Sequence, residues 1–290
     1  MKYLKFFLFL FGFVALERFA DHQTSGFQLV KIASYMPNDA RWDLPSLSDK
    51  EMEQVRGALS QPFYYLSHGG ETYAFVSADG EVVLKLFKEH HMTPFGPFQS
   101  FNEKQTAKRD FFYNSCKIAY TKFRERTGLL FLHLNKTESL KQKVILYDRL
   151  GIAHQIDLDA IPFALQHHAV GIYDKIKTLV KRGELDEAKR CIDSMLALIK
   201  ERCAQGIADR DPNIRRNCGF VGSYAIEVDI GSYSKDPAFQ KPQEVDKFKR
   251  WIDSSFPQLA GYIKSAQERW TVDEMDSVDK SGHEWTRAKK

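Results

Sequence analysis

Three separated stretches of this 290-residue chain hold side chains that are costly or out of place unless a ligand meets them. The first is Leu66-Ser67-His68-Gly69-Gly70-Glu71-Thr72-Tyr73-Ala74-Phe75, where two glycines interrupt a β-rich texture. Glycine lets backbone amides approach phosphate oxygens with no Cβ in the way, but an adjacent pair on its own reads first as a plain hairpin turn. The second is Val82-Val83-Leu84-Lys85-Leu86-Phe87, whose lysine follows the glycine pair by fifteen residues. An ammonium flanked by apolar residues costs free energy unless it reaches an anion, and the phosphates of ATP would serve. The other reading is an edge strand, from which the lysine stem carries its charge to water. The third stretch runs from Gly206-Ile207-Ala208-Asp209-Arg210-Asp211 through Asn217 to Glu227-Val228-Asp229-Ile230-Gly231, with Asp229 twelve residues beyond Asn217. It sets carboxylates and an amide beside Arg210, Arg215 and Arg216, which either bind phosphate or pair with Asp209 and Asp211.

Other chemistry finds less support. His90-His91 and His167-His168 are adjacent pairs, and neighbours on a strand or helix point to different faces, so neither pair is a chelate by itself. The four cysteines fit no C-x-x-C spacing and are too sparse for a disulfide framework, which reads as buried thiols. No G-x-S-x-G elbow occurs. Lys+Arg 42 against Asp+Glu 38 leaves a net charge of +4 with the basic residues dispersed, so no nucleic-acid partner is expected. A hydrophobic share of 43% and a charged share of 28% describe a chain that folds. The length predicts one bilobal domain or two small ones.

The elements that must position these residues can be read in order. Residues 21–59 form an amino-terminal arm and a short helix, the helix opened by Ser48-Asp49-Lys50-Glu51, whose Ser-x-x-Glu spacing is that of a capping box. Strands are predicted over 63–68, 72–77 and 81–87, the last two joined by Asp79-Gly80, a turn dipeptide. A helix of about 102–126 follows, then strands over 128–134 and 143–148. After Gly151 the pattern reads as helical over 160–181 and 184–204, the second with Leu185, Ala188, Ile192, Met195, Ile199 and Cys203 on one stripe. A hairpin is predicted from Cys218–Val221 and Ala225–Val228, then helices over 242–255 and 257–270 divided by Pro257. Residues 271–290 read as a polar, disordered tail.

Five strands with one long helix, followed by a helical half carrying a late hairpin, resemble the protein-kinase-like superfamily, and the three stretches fall where that fold carries its working parts. Gly69 and Gly70 resemble the glycine-rich loop in position, Val82 to Lys85 the V-A-I-K strand, Asp209-Arg210-Asp211 the H-R-D motif, Asn217 the loop asparagine, and Asp229-Ile230-Gly231 the D-F-G motif. The resemblance spans about residues 60–265. It implies an α+β bilobal fold, with a five-stranded antiparallel N-lobe over 60–150 and a mainly helical C-lobe over 151–270. It also implies phosphoryl transfer from Mg-ATP to a hydroxyl on a protein or small molecule, with Asp211 as base, Asn217 and Asp229 as Mg²⁺ ligands, and Lys85 on the ATP phosphates.

The departures are specific. Asn217 lies six positions after Asp211, one more than usual, which makes Asp209 the fallback base. The glycine loop has only its adjacent pair, and Ile230 replaces the motif phenylalanine. The acid expected to pair Lys85 from the first long helix is Glu103, Asp110 or Glu125, with Asp110 favoured. No A-P-E segment is visible and 59 residues follow Gly231, which implies a reduced lobe of atypical, small-molecule or bacterial-effector type. The alternatives to an active kinase are a pseudokinase scaffold acting through partners and a small-molecule kinase of aminoglycoside or choline type.

Residues 1–20 stand apart. Lys2 and Lys5 precede an eleven-residue apolar run from Phe6 to Leu16, ended by Glu17 and Arg18, which is signal-peptide length and short of a membrane span. The expectation is export through this signal, or an uncleaved amino-terminal membrane anchor. Delivery into another cell, or an anchor facing inward, would bring such a protein to ATP.

Overall fold

The computed structural model describes residues 2–93, 99–235, 243–266 and 268. The chain folds as two compact units, the first comprising residues up to 168 with Ile230–Tyr233, and the second Ala169–Asp229 with the described residues from 234 onward.

In the first unit, helix α1 covers Lys2–Thr24 and a short α2 covers Leu29–Ile32. The arm then leads through a single 3-10 turn, Ala40–Trp42, to α3, Asp49–Leu59. The capping box forms as its spacing requires: the Ser48 hydroxyl accepts from the Glu51 amide at 3.3 Å, and the Ser48 amide donates back to Glu51 Oε2 at 3.0 Å. Strands β1 (Phe63–His68), β2 (Thr72–Ser77) and β3 (Val82–Phe87) follow, within a residue of the bounds expected from sequence. Gly80 has φ +77°, the left-handed conformation that the turn before β3 needs and that only glycine adopts without strain. Helices α4 (Gln99–Lys122) and α5 (Arg124–Thr127) take the place of the single long helix, with Gly128 at φ +62° closing α5. Strands β4 (Leu129–His133), β5 (Lys143–Tyr147), β6 (Ala153–Asp157) and β7 (Phe163–His167) complete the unit.

These strands do not make a five-stranded antiparallel sheet. They form one seven-stranded sheet in the order β4-β7-β3-β2-β1-β5-β6, mixed because β1 and β5 run parallel. The expectation of helix from 160 onward fails at the same point. Phe163-Ala164-Leu165-Gln166 lies between β3 and β4 and is buried at all four positions, so it shows no alternation, and its Ala and Leu carry a helical propensity that pairing on both sides overrides. Phe63, Phe75, Leu84, Leu146, Phe163 and Leu165 from the sheet meet Phe27, Ile32, Val55 and Leu59 from α2, α3 and the segment between α1 and α2 in one apolar core.

The second unit begins with β8 (Val170–Gly171), α6 (Ile172–Lys181) and α7 (Leu185–Ala204). The α7 stripe is core as its period demands: Ala188, Cys191, Ile192, Met195, Leu198 and Ile199 are buried. Strand β9 (Ile207–Asp209) and the one-turn helix α8 (Ile214–Asn217) lead into the hairpin β10 (Cys218–Val221) and β11 (Tyr224–Glu227), which pair antiparallel as the sequence predicts. Strand β12 (Tyr233–Lys235) and α9 (Gln243–Ser255) follow, with a further helical run over 257–266. Three cysteines are buried and Cys203 is half-buried. The tail expected over 271–290 lies outside the described residues.

Candidate functional site

The proposed residues fall into two groups. Gly69, Gly70 and Lys85 belong to the first unit; Asp211, Asn217 and Asp229 belong to the second.

Lys85 is not on an edge strand. Strand β3 is hydrogen-bonded on both sides, and the cross-strand neighbours of Lys85 are Ala74 on β2 and Ala164 on β7, two small residues that leave room over the sheet for a long side chain. Its strand is buried at Val82, Val83, Leu84, Leu86 and Phe87, with Lys85 alone half-buried. The edge-strand reading of Lys85 is thereby excluded. Asp110, the favoured partner on α4, does not pair with it: the Asp110 carboxylate accepts from Arg41 at 2.9 Å and lies 3.4 Å from Arg109. The arm that supplies Arg41 is irregular, so nothing in the sequence marked this contact.

The turn between β1 and β2 carries the glycine pair. The Gly69 amide donates to Thr72 O at 2.9 Å, closing the turn. A Cβ built on Gly70 meets nothing within 4 Å and one on Gly69 meets only the Thr72 hydroxyl at 3.8 Å. Neither glycine has a positive φ. The turn itself thus needs glycine at neither position. Lys88, which no sequence motif marks, holds this turn: its Nζ donates to Gly69 O at 2.7 Å and sits 4.3 Å from the Tyr73 ring centre. Burial holds the Lys88 ammonium below its ordinary range. His91 Nδ1 lies 3.3 Å from Gly70 O and His90 Nδ1 3.1 Å from Lys31 O, with the two rings tilted at 43°, so this histidine pair packs against the backbone, and no cluster of three metal-ligating side chains occurs among the described residues.

In the second unit a chain of short-range bonds ties the acidic loop together. Arg202 at the end of α7 is buried, with Nη1 at 2.6 Å from Glu227 Oε1 and 3.5 Å from Asp209 Oδ2, and all three side chains are 1% exposed. Asp209 is therefore committed to an ion pair and cannot serve as the fallback base. Its other oxygen accepts from the Asp211 amide at 2.9 Å, turning the loop so that Asp211 stands outward with its side chain 58% exposed. The Asn217 amide nitrogen donates to Asp211 O at 2.6 Å, and the extra residue between them is absorbed in the turn that Asn213 closes by donating to the same carbonyl. From the hairpin's other end, the Val228 and Asp229 amides reach Asn217 O at 2.6 and 3.4 Å. Asp211, Asn217 and Asp229 are thus brought together, with β10 and β11 returning the chain to its starting point. Arg202 and Glu227 were missed in the sequence; the buried face of α7 ending in an arginine was the signal available.

The basic residues of the loop divide. Arg215 lies 5.5 Å over the Tyr173 ring, and Arg216 sits 3.8 Å from Asp211 with both side chains in solvent, a pair worth little.

A hard divalent cation would find suitable donors here. The Asn217 amide nitrogen is taken by Asp211 O, its amide oxygen accepts no hydrogen bond among the described residues, and Asp229 adds a carboxylate two residues beyond β11. Two protein oxygens are few for a permanent cage and suit Mg²⁺, which keeps waters and takes phosphate oxygens from a substrate.

The sequence matches no protein-family model and no curated protein. Among solved structures the chain is similar to a crystal structure of WbdD, with 13% identity and a TM-score of 0.33 over 64% of this chain and 36% of that one. It is also similar to a second structure of WbdD, described as a bifunctional kinase-methyltransferase, with 13% identity and a TM-score of 0.31 over 63% of this chain and 33% of that one. The aligned part spans about a third of the length of those proteins. Likeness of this degree leaves the function to be argued from the side chains.

Proposed function

We propose that the chain is an ATP-dependent phosphotransferase that moves the γ-phosphate of Mg-ATP to a hydroxyl on a protein or a small molecule. The observation that carries this reading is the joining of Asn217 to Asp229 through the Asn217 carbonyl, beside an outward-facing Asp211. Lys85 binds the nucleotide phosphates, and Gly69 and Gly70 let the turn's backbone come close to them. Asn217 and Asp229 hold Mg²⁺, which when bound neutralises charge on the phosphates. Asp211 orients the attacking hydroxyl and takes its proton. Phosphoryl transfer asks mainly for positioning and charge, and this set of groups supplies both.

The proposal extends to the leader. Residues 2–24 form one helix whose phenylalanines are largely in solvent, Phe11 at 75% and Phe9 at 72%, and no helix among the described residues is long and apolar enough to cross a membrane. We assign residues 1–20 to export, with an inward-facing anchor as the alternative; identical fractionation of forms with and without them would reject both.

The test is thermal unfolding of the full chain with Mg-ATP, followed by a transfer assay on hydroxyl acceptors. Nucleotide at a hundredfold excess over its dissociation constant should stabilise the protein by about 2.7 kcal/mol. Asp211→Asn should keep that shift and lose transfer. No shift in the parent protein would sink nucleotide binding; a shift without transfer to any acceptor would make the chain a nucleotide-binding scaffold.

A further inference from the structure

A cavity of about 370 Å³ lies within the first unit, between the arm before α3, the middle of α4 and the segment after β4. None of the residues assigned to phosphoryl transfer lines it. Its walls are held by reciprocal amide bonds. Asn38 donates to Lys136 O at 2.8 Å and accepts from the Lys136 amide at 2.9 Å, while Asn135 donates to Asp39 O at 2.9 Å and accepts from the Asp39 amide at 3.2 Å. A site stitched in this way gives up little conformational freedom when it is filled.

The charge around the cavity is unbalanced. Arg109 lines it and is 7% exposed, yet its Nε–H meets no acceptor, and its one carboxylate neighbour, Asp110 at 3.4 Å, is shared with Arg41. Asp39, the other acid on the wall, is paired with Arg41 at 2.7 Å. The Lys136 ammonium has no carboxylate within 4 Å among the described residues. Glu89, within electrostatic reach of both Arg109 and Lys136, is fully buried; it accepts from the Tyr113 hydroxyl at 2.8 Å, and its other oxygen meets no donor. Burial raises this carboxyl to about 7, so at neutral pH it offers Arg109 only part of a counter-charge. A buried guanidinium without a full counter-ion is costly, and an incoming anion would relieve that cost. Apolar side chains complete the wall: Trp42 and Tyr113 meet edge to face at 5.4 Å, with Met36 and Leu134 alongside, and the Trp42 indole N–H also lacks an acceptor.

We propose that this cavity binds a small organic anion carrying one carboxylate or phosphate group, with that group held by Arg109 and Lys136. The volume is that of a pocket for a small molecule, and placed polar groups set the orientation of what such a site takes.

Calorimetric titration of the full chain with phenyl phosphate, benzoate and neutral benzamide tests this. At least one of the two anions should bind about tenfold or more tightly than benzamide, and which one does so identifies the headgroup. Lys136→Gln, at a half-buried position whose side chain makes no ion pair, should fold and weaken the preferred anion several-fold while leaving benzamide unchanged. Equal affinity for benzamide and both anions, an anion affinity indifferent to Lys136→Gln, or no heat from either anion up to about 10 mM would overturn the proposal.

Discussion

Buried acids in the two units can meet opposite fates, as Glu227 and Glu89 show. In the second, Arg202 lies within ion-pair distance of both Asp209 and Glu227, and the three groups sit together out of solvent. In the first, Glu89 has, among the described residues, the Tyr113 hydroxyl alone on one oxygen, and burial moves its carboxyl to about 7. An ion pair keeps its charges and fixes the backbone that carries them, which is what a loop presenting Asp211, Asn217 and Asp229 requires. A carboxyl that takes up a proton instead offers its neighbouring cations only part of a counter-charge. One arrangement builds a rigid platform; the other leaves an appetite for an anion.

The largest expected effect breaks the platform. Arg202→Met leaves Asp209 and Glu227 buried without their cation and should cost about 3–5 kcal/mol in denaturant unfolding. A loss under about 1 kcal/mol would mean that the triad does not hold the loop. The next effect sharpens the contrast through pH. The Glu89 carboxyl is raised from 4.5 to about 7, so the folded state holds a proton that the unfolded chain has released. That contribution is whole below about pH 4.5 and is lost as pH rises through about 7, roughly 3 kcal/mol in all. Glu89→Gln should therefore remove a fall in stability between pH 5 and pH 8, and should be the more stable form at pH 8; an unchanged pH profile would contradict the assignment. The smallest effect is Gly70→Ala. With space around the added methyl and no positive φ to satisfy, stability without nucleotide should stay within about 0.5 kcal/mol of the parent, and any loss of ATP affinity would then report on the ligand's approach.

The parts of this molecule set by near neighbours were legible in the sequence. Ser48 and Glu51, Asp79-Gly80, the α7 stripe and the 218–227 hairpin each rest on contacts within a few residues, and each forms within a residue or two of its expected bounds. What failed was long-range. Strand β7 reads as helix because its pairing with β3 and β4 comes from far along the chain, and the parallel contact of β1 with β5 leaves no local trace. The same division runs through the candidate site. The choice of Asp211, Asn217 and Asp229 came from the kinase-like resemblance of their motifs, whereas the ion pair that removes Asp209 from consideration depends on Arg202 and Glu227, and the loss of Asp110 depends on an arm residue 69 positions away.

The central proposal is that the chain binds Mg-ATP, with Asp229 acting through the metal and Lys85 on the phosphates directly. Calorimetric titration of the parent chain, Asp229→Ala and Lys85→Ala with ATP, with and without Mg²⁺, tests it most directly. The account predicts that Mg²⁺ tightens ATP binding to the parent, that Asp229→Ala erases this gain while leaving metal-free binding intact, and that Lys85→Ala weakens both. Parent protein that binds no ATP in either condition, or an Asp229→Ala protein that keeps the full Mg²⁺ gain, would contradict it.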